Sequence, residues 1–188
     1  MLKISRKLWK AIALVFPIIY FFQPKSVTLT ILGIALAVFI ILEIIRFSIP
    51  KLNKKACEKL KFIMKEKEKN KISTTTLFLI SAFLTILFFQ KQLAILAIFF
   101  FVFGDSLAEI IGIKYGKIKL TKDKNLEGTL ACLISCLIIG IIFVYFFKLN
   151  LIMVSAGALT TTILSIIPIK IDDNLTMPFI SALIMSFF

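Results

Sequence analysis

Long apolar runs constrain this chain more than any other feature of its sequence. A helix that crosses the roughly 30 Å hydrocarbon core of a bilayer needs about 20 mostly apolar residues. Runs that meet or approach this length cover residues 8–22, 27–46, 72–89, 93–113, 129–147 and 151–168, and a shorter run covers 176–188. Because 60% of the residues are hydrophobic, the sequence predicts an all-α polytopic membrane protein with about seven transmembrane helices.

The distribution of charge predicts how these helices are oriented. The chain has 23 Lys and Arg residues, and 20 of them fall on one side of the predicted spans, in residues 1–10, 46–71, 114–128 and 169–175. Positively charged loops stay in the cytoplasm, so the N-terminus is predicted to be cytoplasmic and the C-terminus external. No repeat or linker divides the chain, and residues 1–188 are expected to form a single integral membrane domain.

Composition also limits the functions open to the chain. A net charge of +13 on a scaffold this apolar does not fit a compact nucleic-acid-binding protein, and no nucleic-acid partner is expected. The sequence contains no histidine, the commonest general base and transition-metal ligand. Any catalysis is therefore expected to use carboxylates, lysines and a bound cation.

Residues 46–71 are predicted to form a cytoplasmic basic amphipathic segment. Leu52, Ala56 and Leu60 recur at helical spacing among nine lysines in residues 51–71. Such a helix would lie on an anionic membrane surface. Two roles stay open, a solvated tether between spans and a surface that gathers an anionic nucleotide.

Small residues form a stripe along the fourth predicted span. Gly104, Ala108, Gly112 and Gly116 recur every four residues. Close packing against a neighbouring helix explains such a stripe, as it does Cys132 and Cys136 in the next span. An alternative is that these glycines let a phosphate group approach the backbone.

The carboxylates of this region do not fit a packing role. Asp105 and Glu109 lie one helical turn apart in the cytoplasmic half of the span, and five lysines follow between residues 114 and 124. Acidic groups at this depth need a partner, and they indicate a functional site. One or two carboxylates together with substrate phosphates are the usual ligands of Mg²⁺. The lysines and glycines would complete a phosphate site, although the chain has no Walker-type loop.

A second acidic group lies in the last cytoplasmic loop. Asp172, Asp173 and Asn174 precede Pro178. They could be ordinary turn residues before a helix. Because this loop and residues 114–128 are predicted on the same face, a shared active site built from loops 114–128 and 169–175 is the preferred interpretation.

Three motifs together resemble those of the CTP-dependent lipid kinases that include dolichol kinase, phytol kinase and yeast-type diacylglycerol kinase. The family patterns are G-D-x-x-A-x-x-x-G-x-x-x-G-K, K-[ST]-x-E-G-[ST] and D-N-L-x-x-P. The matching residues are Gly104, Asp105, Ala108, Gly112, Gly116 and Lys117, then Lys124, Glu127, Gly128 and Thr129, then Asp173, Asn174, Leu175 and Pro178. Arg6 and Lys7 also match, as does the stretch from Arg46 to Asn53.

The resemblance implies transfer of the γ-phosphoryl group of CTP to a membrane lipid alcohol. On this interpretation Asp105 and Glu127 hold Mg²⁺, and Asp173 is a further ligand or the base that accepts the alcohol proton. Substrate contacts would come from the remaining motif residues: Arg6, Lys7, Lys117, Lys119, Lys124, Gly104, Gly112, Gly116, Gly128, Thr129 and Asn174.

The chain departs from the family pattern at three positions, and rival functions remain. Lys10 stands where many relatives have histidine, Asn125 where Ser or Thr is expected, and Ser165 where a glutamate is common. A lipid cytidylyltransferase would need the same acids and lysines. A small ion transporter with Asp105 and Glu109 in its pathway, and a purely structural subunit, are further alternatives. Neither the acceptor lipid nor the oligomeric state follows from the sequence.

Overall fold

Helices account for nearly all of the chain that the structure describes. The structure is a computed structural model and describes residues 13–49, 71–121, 124–167 and 171–188. Its seven helices are α1 (Val15–Phe22), α2 (Lys25–Ser48), α3 (Thr74–Phe88), α4 (Lys91–Tyr115), α5 (Leu126–Phe147), α6 (Leu151–Ile166) and α7 (Asp173–Met185). Residues 50–70 of the basic segment predicted at 46–71 lie outside the described residues, and the segment's first residues, 46–48, belong to α2. The predicted ligands Arg6 and Lys7 and the departure at Lys10 also lie outside the described residues.

The lengths of these helices confirm a helical membrane protein. Helices α2, α4 and α5 are long and apolar enough to cross a bilayer, and α3 and α6 are shorter apolar helices. With 13 residues, α7 is about 20 Å long, which is less than the roughly 30 Å hydrocarbon core. Seven complete spans and a cytoplasmic N-terminus remain predictions.

Helix α4 is the central element of the bundle. It packs most extensively against α5 and also contacts α1, α3, α6 and α7. Of the residues in its most apolar stretch, 61% are buried inside the protein, compared with 11% for α2 and 28% for α5. The apolar surface of α2 is therefore available for contact with lipid, whereas α4 lies mostly inside the protein and includes the buried Asp105.

Small residues make the close contact between α4 and α5. A Cβ atom added to Gly104 would lie 2.9 Å from Sγ of Cys136 and 3.0 Å from Sγ of Cys132. Both thiols are buried and free. The packing role predicted for the glycine stripe and the two cysteines is confirmed at this position.

Polar side chains fix where four helices begin. Ser73, Asn125, Asn150 and Asp172 each accept a hydrogen bond from a backbone N–H in the first turn of α3, α5, α6 and α7. An N-cap of this kind satisfies one of the N–H groups that a helix leaves unpaired at its start. The caps of α5 and α7 therefore set the positions from which Glu127 and Asp173 project.

Candidate active site

Two carboxylates and one lysine converge at the end of the bundle where α4 finishes and α7 begins. The Nζ atom of Lys124 lies 3.8 Å from Oδ1 of Asp105 and 3.4 Å from Oδ2 of Asp173. The Asp105 side chain is 13% exposed and that of Asp173 is 31% exposed. We call these three residues the Asp–Lys–Asp cluster. It joins the fourth helix, the following connection and the last helix in one partly buried site.

The interior of α4 and the first residue of α7 supply the two acids that face Lys124. Asp105 lies on α4 ten residues before Tyr115, the last residue of that helix. Asp173 is the first residue of α7, directly after its N-cap Asp172. The Asp172 carboxylate accepts hydrogen bonds from the backbone N–H of Asn174 at 2.9 Å and from the Asn174 side-chain amide. The cap therefore holds the motif residue Asn174 against its own turn.

The connection between α4 and α5 folds back on itself and carries Lys124 into the site. The backbone N–H groups of Leu120 and Thr121 donate to the Lys124 carbonyl at 3.0 and 3.1 Å. The Leu126 N–H donates to the Ile118 carbonyl at 2.9 Å. These bonds close a tight loop, which exposes Lys117 and Lys119 and turns Lys124 toward the acids.

Glu127 holds this loop in place. Its Oε1 atom accepts hydrogen bonds from the backbone N–H groups of Lys117 at 3.0 Å and Ile118 at 3.2 Å. Backbone donors that converge on a carboxylate stabilise its charged form and fix its orientation. Glu127 therefore positions the segment that displays Lys117 and Lys119.

Asn125 explains three of the motif glycines. Its Nδ2 donates to the Gly112 carbonyl at 2.7 Å, and its Oδ1 accepts from the Gly128 N–H at 2.9 Å. A Cβ on Gly112 or on Gly128 would lie 2.8 Å from Asn125 Oδ1, and a Cβ on Gly116 would overlap Asn125 Nδ2. The Asn125 side chain thus occupies the space beside Gly112, and it shares the space beside Gly116 and Gly128 with the backbone carbonyls of Gly112 and Ala108.

Burial perturbs the titration of Asp173, which precedes the predicted span at 176–188. Desolvation raises the pKa of its carboxyl above the ordinary value of 3.8. The positive charge of Lys124 opposes this shift, whereas the negative charges of Asp105 and Asp172 add to it. Asp173 is therefore a more basic carboxylate than an exposed aspartate.

The structure brings together some of the predicted site residues and separates others. Asp105, Asp173 and Lys124 converge, but Glu127 is bound to the backbone of the loop. No three acidic or cysteine side chains among the described residues are grouped so that they could hold one metal ion. Two carboxylates facing one ammonium nevertheless fit Mg²⁺, which proteins commonly bind through one or two carboxylates while phosphates supply the rest.

Thr129 is held within its own helix. Its hydroxyl donates to the Asn125 carbonyl at 3.1 Å, four residues earlier. Ser165, the position where relatives often have glutamate, likewise donates to the Thr162 carbonyl at 2.7 Å. In the described structure both hydroxyls therefore serve the helices that carry them.

A buried ion pair at the same end of the bundle was missed by the sequence analysis. Nη2 of Arg46 donates to Oε2 of Glu43 and to the Lys71 carbonyl, each at 2.6 Å. Oε1 of Glu43 accepts from the backbone N–H of Ser73 at 3.0 Å. The pair ties the end of α2 to the start of α3. Two opposite charges three residues apart inside an apolar run were the available signal.

Comparison with known proteins places the chain near two kinases. No protein-family model and no solved structure matches it. It is 28% identical over 181 residues to an uncharacterised protein of Rickettsia prowazekii, with 93% of this chain and 88% of that protein covered. It is 24% identical over 176 residues to CTP-dependent diacylglycerol kinase 1 of Saccharomyces cerevisiae, with 81% and 61% covered.

A second kinase gives a similar result. The chain is 24% identical over 170 residues to CTP-dependent diacylglycerol kinase 1 of Eremothecium gossypii, with 78% of this chain and 54% of the kinase covered. The chain thus spans less than two thirds of the length of either kinase. This distant similarity supports the resemblance to yeast-type diacylglycerol kinases that the three motifs indicate.

Proposed function

We propose that this protein is a CTP-dependent lipid kinase that transfers the γ-phosphoryl group of CTP to the hydroxyl of a membrane lipid alcohol. The Asp–Lys–Asp cluster is the observation that carries the proposal, because it places two carboxylates and a cation beside a lysine-bearing loop. The setting in a helical membrane protein and the distant similarity to two CTP-dependent lipid kinases support it.

Phosphoryl transfer requires mainly positioning and neutralisation of charge. Lys117, Lys119 and Lys124 would bind the triphosphate, since the first two are exposed on the loop and the third faces the acids. Asp105 would hold Mg²⁺ together with phosphate oxygens of CTP, and Mg²⁺ when bound neutralises charge on the phosphates. Glu127 would act on the loop by fixing the backbone at Lys117 and Ile118.

Asp173 is the proposed base. The alcohol oxygen forms a bond to the γ-phosphorus, the bond from that phosphorus to the bridging β-γ oxygen breaks, and CDP leaves. The hydroxyl proton passes to the Asp173 carboxylate, whose raised pKa makes it a better acceptor than an exposed aspartate.

The motif glycines have a supporting part in this proposal. Gly112, Gly116 and Gly128 give room to the Asn125 side chain, which couples α4 to the start of α5. Contacts of these glycines, of Thr129 and of Asn174 with substrate belong to the same proposal, as do contacts of Arg6 and Lys7. The active site is proposed to face the cytoplasm, because 20 of the 23 Lys and Arg residues fall in the segments predicted on that side of the membrane.

A double-label experiment tests the function. Purified protein is incubated with Mg²⁺, a panel of lipid alcohols, and CTP labelled at either the α- or the γ-phosphorus. We expect lipid to acquire label only from the γ position. Label acquired only from the α position would identify a lipid cytidylyltransferase instead, and label from neither position would contradict the proposal.

Variants connect that activity to the cluster. Asp105→Asn is expected to lower kcat/KM at least about 100-fold, since it removes charge at the reacting phosphates. Glu109→Gln is the matched control, because Glu109 is an exposed carboxylate one turn further along α4. Its activity is expected to stay within about threefold of the wild-type value. Equal losses in both variants would contradict a specific role for Asp105 in the cluster.

A further inference from the structure

A cavity of about 170 Å³ lies between the first four helices and the start of α7. Phe16 on α1, Phe39 on α2, Phe78 on α3 and Phe101 on α4 form much of its wall, and the rings of Phe78 and Phe101 stack with centroids 5.5 Å apart. The wall formed by α2 also includes Ala35, whose side chain is a single methyl group. The cavity is therefore lined mainly by aromatic and other apolar side chains, toward the end of the bundle where α3 and α7 begin.

The wall of this cavity also carries three polar residues. They are Thr74 and Thr75 in the first turn of α3 and Asn174 in the first turn of α7. The Asn174 amide uses one N–H to bind Asp172, and an amide carries a second N–H and a carbonyl oxygen that can bind a hydroxyl. Because Pro178 has no N–H, the Asn174 backbone carbonyl lacks the donor that an α-helix normally supplies four residues later.

The helix register places the cavity next to the Asp–Lys–Asp cluster. Phe101 lines the cavity, and Asp105 follows four residues later on α4, which is the same face about 6 Å along the axis. On α7, Asn174 lines the cavity and directly follows Asp173. The helices α4 and α7 each carry both a residue of the cavity wall and an acid of the candidate active site.

We propose that this cavity binds the hydroxyl end of the lipid alcohol and directs its oxygen toward Asp173, an inference that rests on the proposed kinase function. The hydroxyl binds at Asn174, and the carbon chain next to it lies among Phe16, Phe39 and Phe78. The cavity is smaller than the roughly 300–1,000 Å³ of pockets that enclose drug-sized ligands. It accommodates the first segment of one chain and not a branched headgroup.

The chemistry of the walls selects among lipid alcohols. Diacylglycerol has two ester groups within a few bonds of its hydroxyl, and burying them against phenylalanine rings without hydrogen-bond partners is costly. An alcohol whose hydrocarbon begins at the hydroxyl-bearing carbon has no such groups. The preferred acceptor is therefore a long-chain alcohol of this second kind.

Photolabelling tests the site without depending on catalysis. The probe is hexadecanol with a diazirine on its third carbon, added to the full-length protein in detergent. We expect label in the peptide that contains residues 74–79, and competition by unlabelled hexadecanol at concentrations at least about tenfold lower than by hexadecane or dioleoylglycerol. Equal competition by hexadecane or by dioleoylglycerol would overturn the proposal.

Two neighbouring positions on α2 supply the variant and its control. Ala35→Phe fills the cavity and is expected to reduce specific labelling at least fivefold. Ile34→Phe places the same side chain at the neighbouring position, which is 62% exposed on the outer surface of α2, and it is expected to label normally. Should Ala35→Phe fail to fold, Phe39→Ala enlarges the cavity, and it is expected to let dioleoylglycerol compete at least threefold better. Undiminished labelling of folded Ala35→Phe, or unchanged competition in Phe39→Ala, would refute the site.

The γ-labelled CTP assay on the same samples tests the kinase function separately from the lipid site. Specific, Ala35-dependent labelling without phosphorylation of any alcohol would retain the lipid site and reject the kinase function. Phosphorylation of lipid with labelling indifferent to Ala35→Phe would retain the kinase and reject this site.

Discussion

Lys124 and Asp173 lie 49 residues apart in the chain, yet Nζ of the first lies 3.4 Å from Oδ2 of the second. The same ammonium lies 3.8 Å from Asp105. One cation thus neutralises two acids that are carried by different helices, α4 and α7. This relationship makes Lys124 both a contact between helices and a cation beside the proposed base.

Removing the charge of Lys124 is expected to lower kcat/KM for CTP more than replacing Lys124 with another cationic residue. Lys124→Met removes a charged partner of both acids, and kcat/KM for CTP is expected to fall about 10- to 100-fold, the effect of losing a charged hydrogen bond. Lys124→Arg keeps the charge and is expected to retain more activity. Steady-state kinetics with CTP as the varied substrate measure both effects.

Lys148→Gln is the control for that measurement, because Lys148 follows the opposite end of α5. It is expected to change kcat/KM less than about threefold. Wild-type kinetics in Lys124→Met would show that the cluster has no part in binding CTP.

The packing of Gly112 against Asn125 predicts that Gly112→Ala destabilises the wild-type protein but not the Asn125→Ser variant. Gly112→Ala brings a Cβ to 2.8 Å from Asn125 Oδ1, and it is expected to destabilise the protein by about 1–3 kcal/mol through overpacking. In Asn125→Ser the smaller side chain still caps α5 but vacates this space. There Gly112→Ala is expected to be neutral or stabilising by up to about 1 kcal/mol, because Ala is the better helix former.

Thermal unfolding in detergent gives the stabilities of the four proteins, and kinase assays give their activities. Recovery of both properties in the double variant would identify Gly112 as a packing residue. Stability restored without activity would instead favour direct contact between Gly112 and phosphate.

The raised pKa of Asp173 predicts a pH-dependent stability. The folded protein holds a proton on Asp173 more tightly than the unfolded chain does, so the free energy of unfolding falls as pH rises from about 4 through the raised pKa. Because asparagine does not titrate, the free energy of unfolding of Asp173→Asn lacks this decrease with pH. The variant is expected to melt at a higher temperature than the wild type at neutral pH, although it lacks the proposed base.

Thermal midpoints measured from pH 3.5 to 8, with a chelator present, test this expectation. The advantage of Asp173→Asn is expected to shrink as pH falls through the raised pKa and to disappear where the wild-type carboxyl is protonated. A constant difference across the whole pH range would contradict the assignment, since titration of Asp173 would then contribute nothing.

The Glu43–Arg46 pair is expected to hold α2 against α3. Both Glu43→Gln and Arg46→Met leave a partly buried charge without its partner, and each is expected to cost about 3–5 kcal/mol. The double variant removes both charges and is expected to cost much less than the sum of the two. Unfolding measurements on the four proteins give the coupling, and additive losses would contradict a direct interaction.

The sequence predicted the helices well because the signals for them are local. Apolar runs located α2, α4 and α5. The runs predicted from 129 and from 176 begin three residues after the observed starts of α5 and α7, which the N-caps Asn125 and Asp172 set. The sequence did not predict how completely the shorter helices span a bilayer, because helix length alone does not fix depth or tilt.

The candidate site was predicted only in part. The motifs singled out Asp105, Lys124 and Asp173, which meet, but the sequence did not show that Glu127 accepts hydrogen bonds from the backbone of Lys117 and Ile118. Its role as a metal ligand stays a prediction. A carboxylate at an N-terminal turn satisfies a metal pattern and a backbone pattern equally well in sequence. Only the path of the loop decides which donors face it.

What the sequence determined by itself is therefore the set of helices and the chemistry they carry, since hydrophobic runs, caps and charged side chains act within a few residues. What only the tertiary structure decided is which of those groups meet. The four-residue glycine stripe allowed both close packing and approach to phosphate, and the choice between them depends on what fills the space. At Gly112 that space is filled by Asn125, and at Gly116 and Gly128 by Asn125 together with backbone carbonyls, through a contact between two helices that no local pattern encodes.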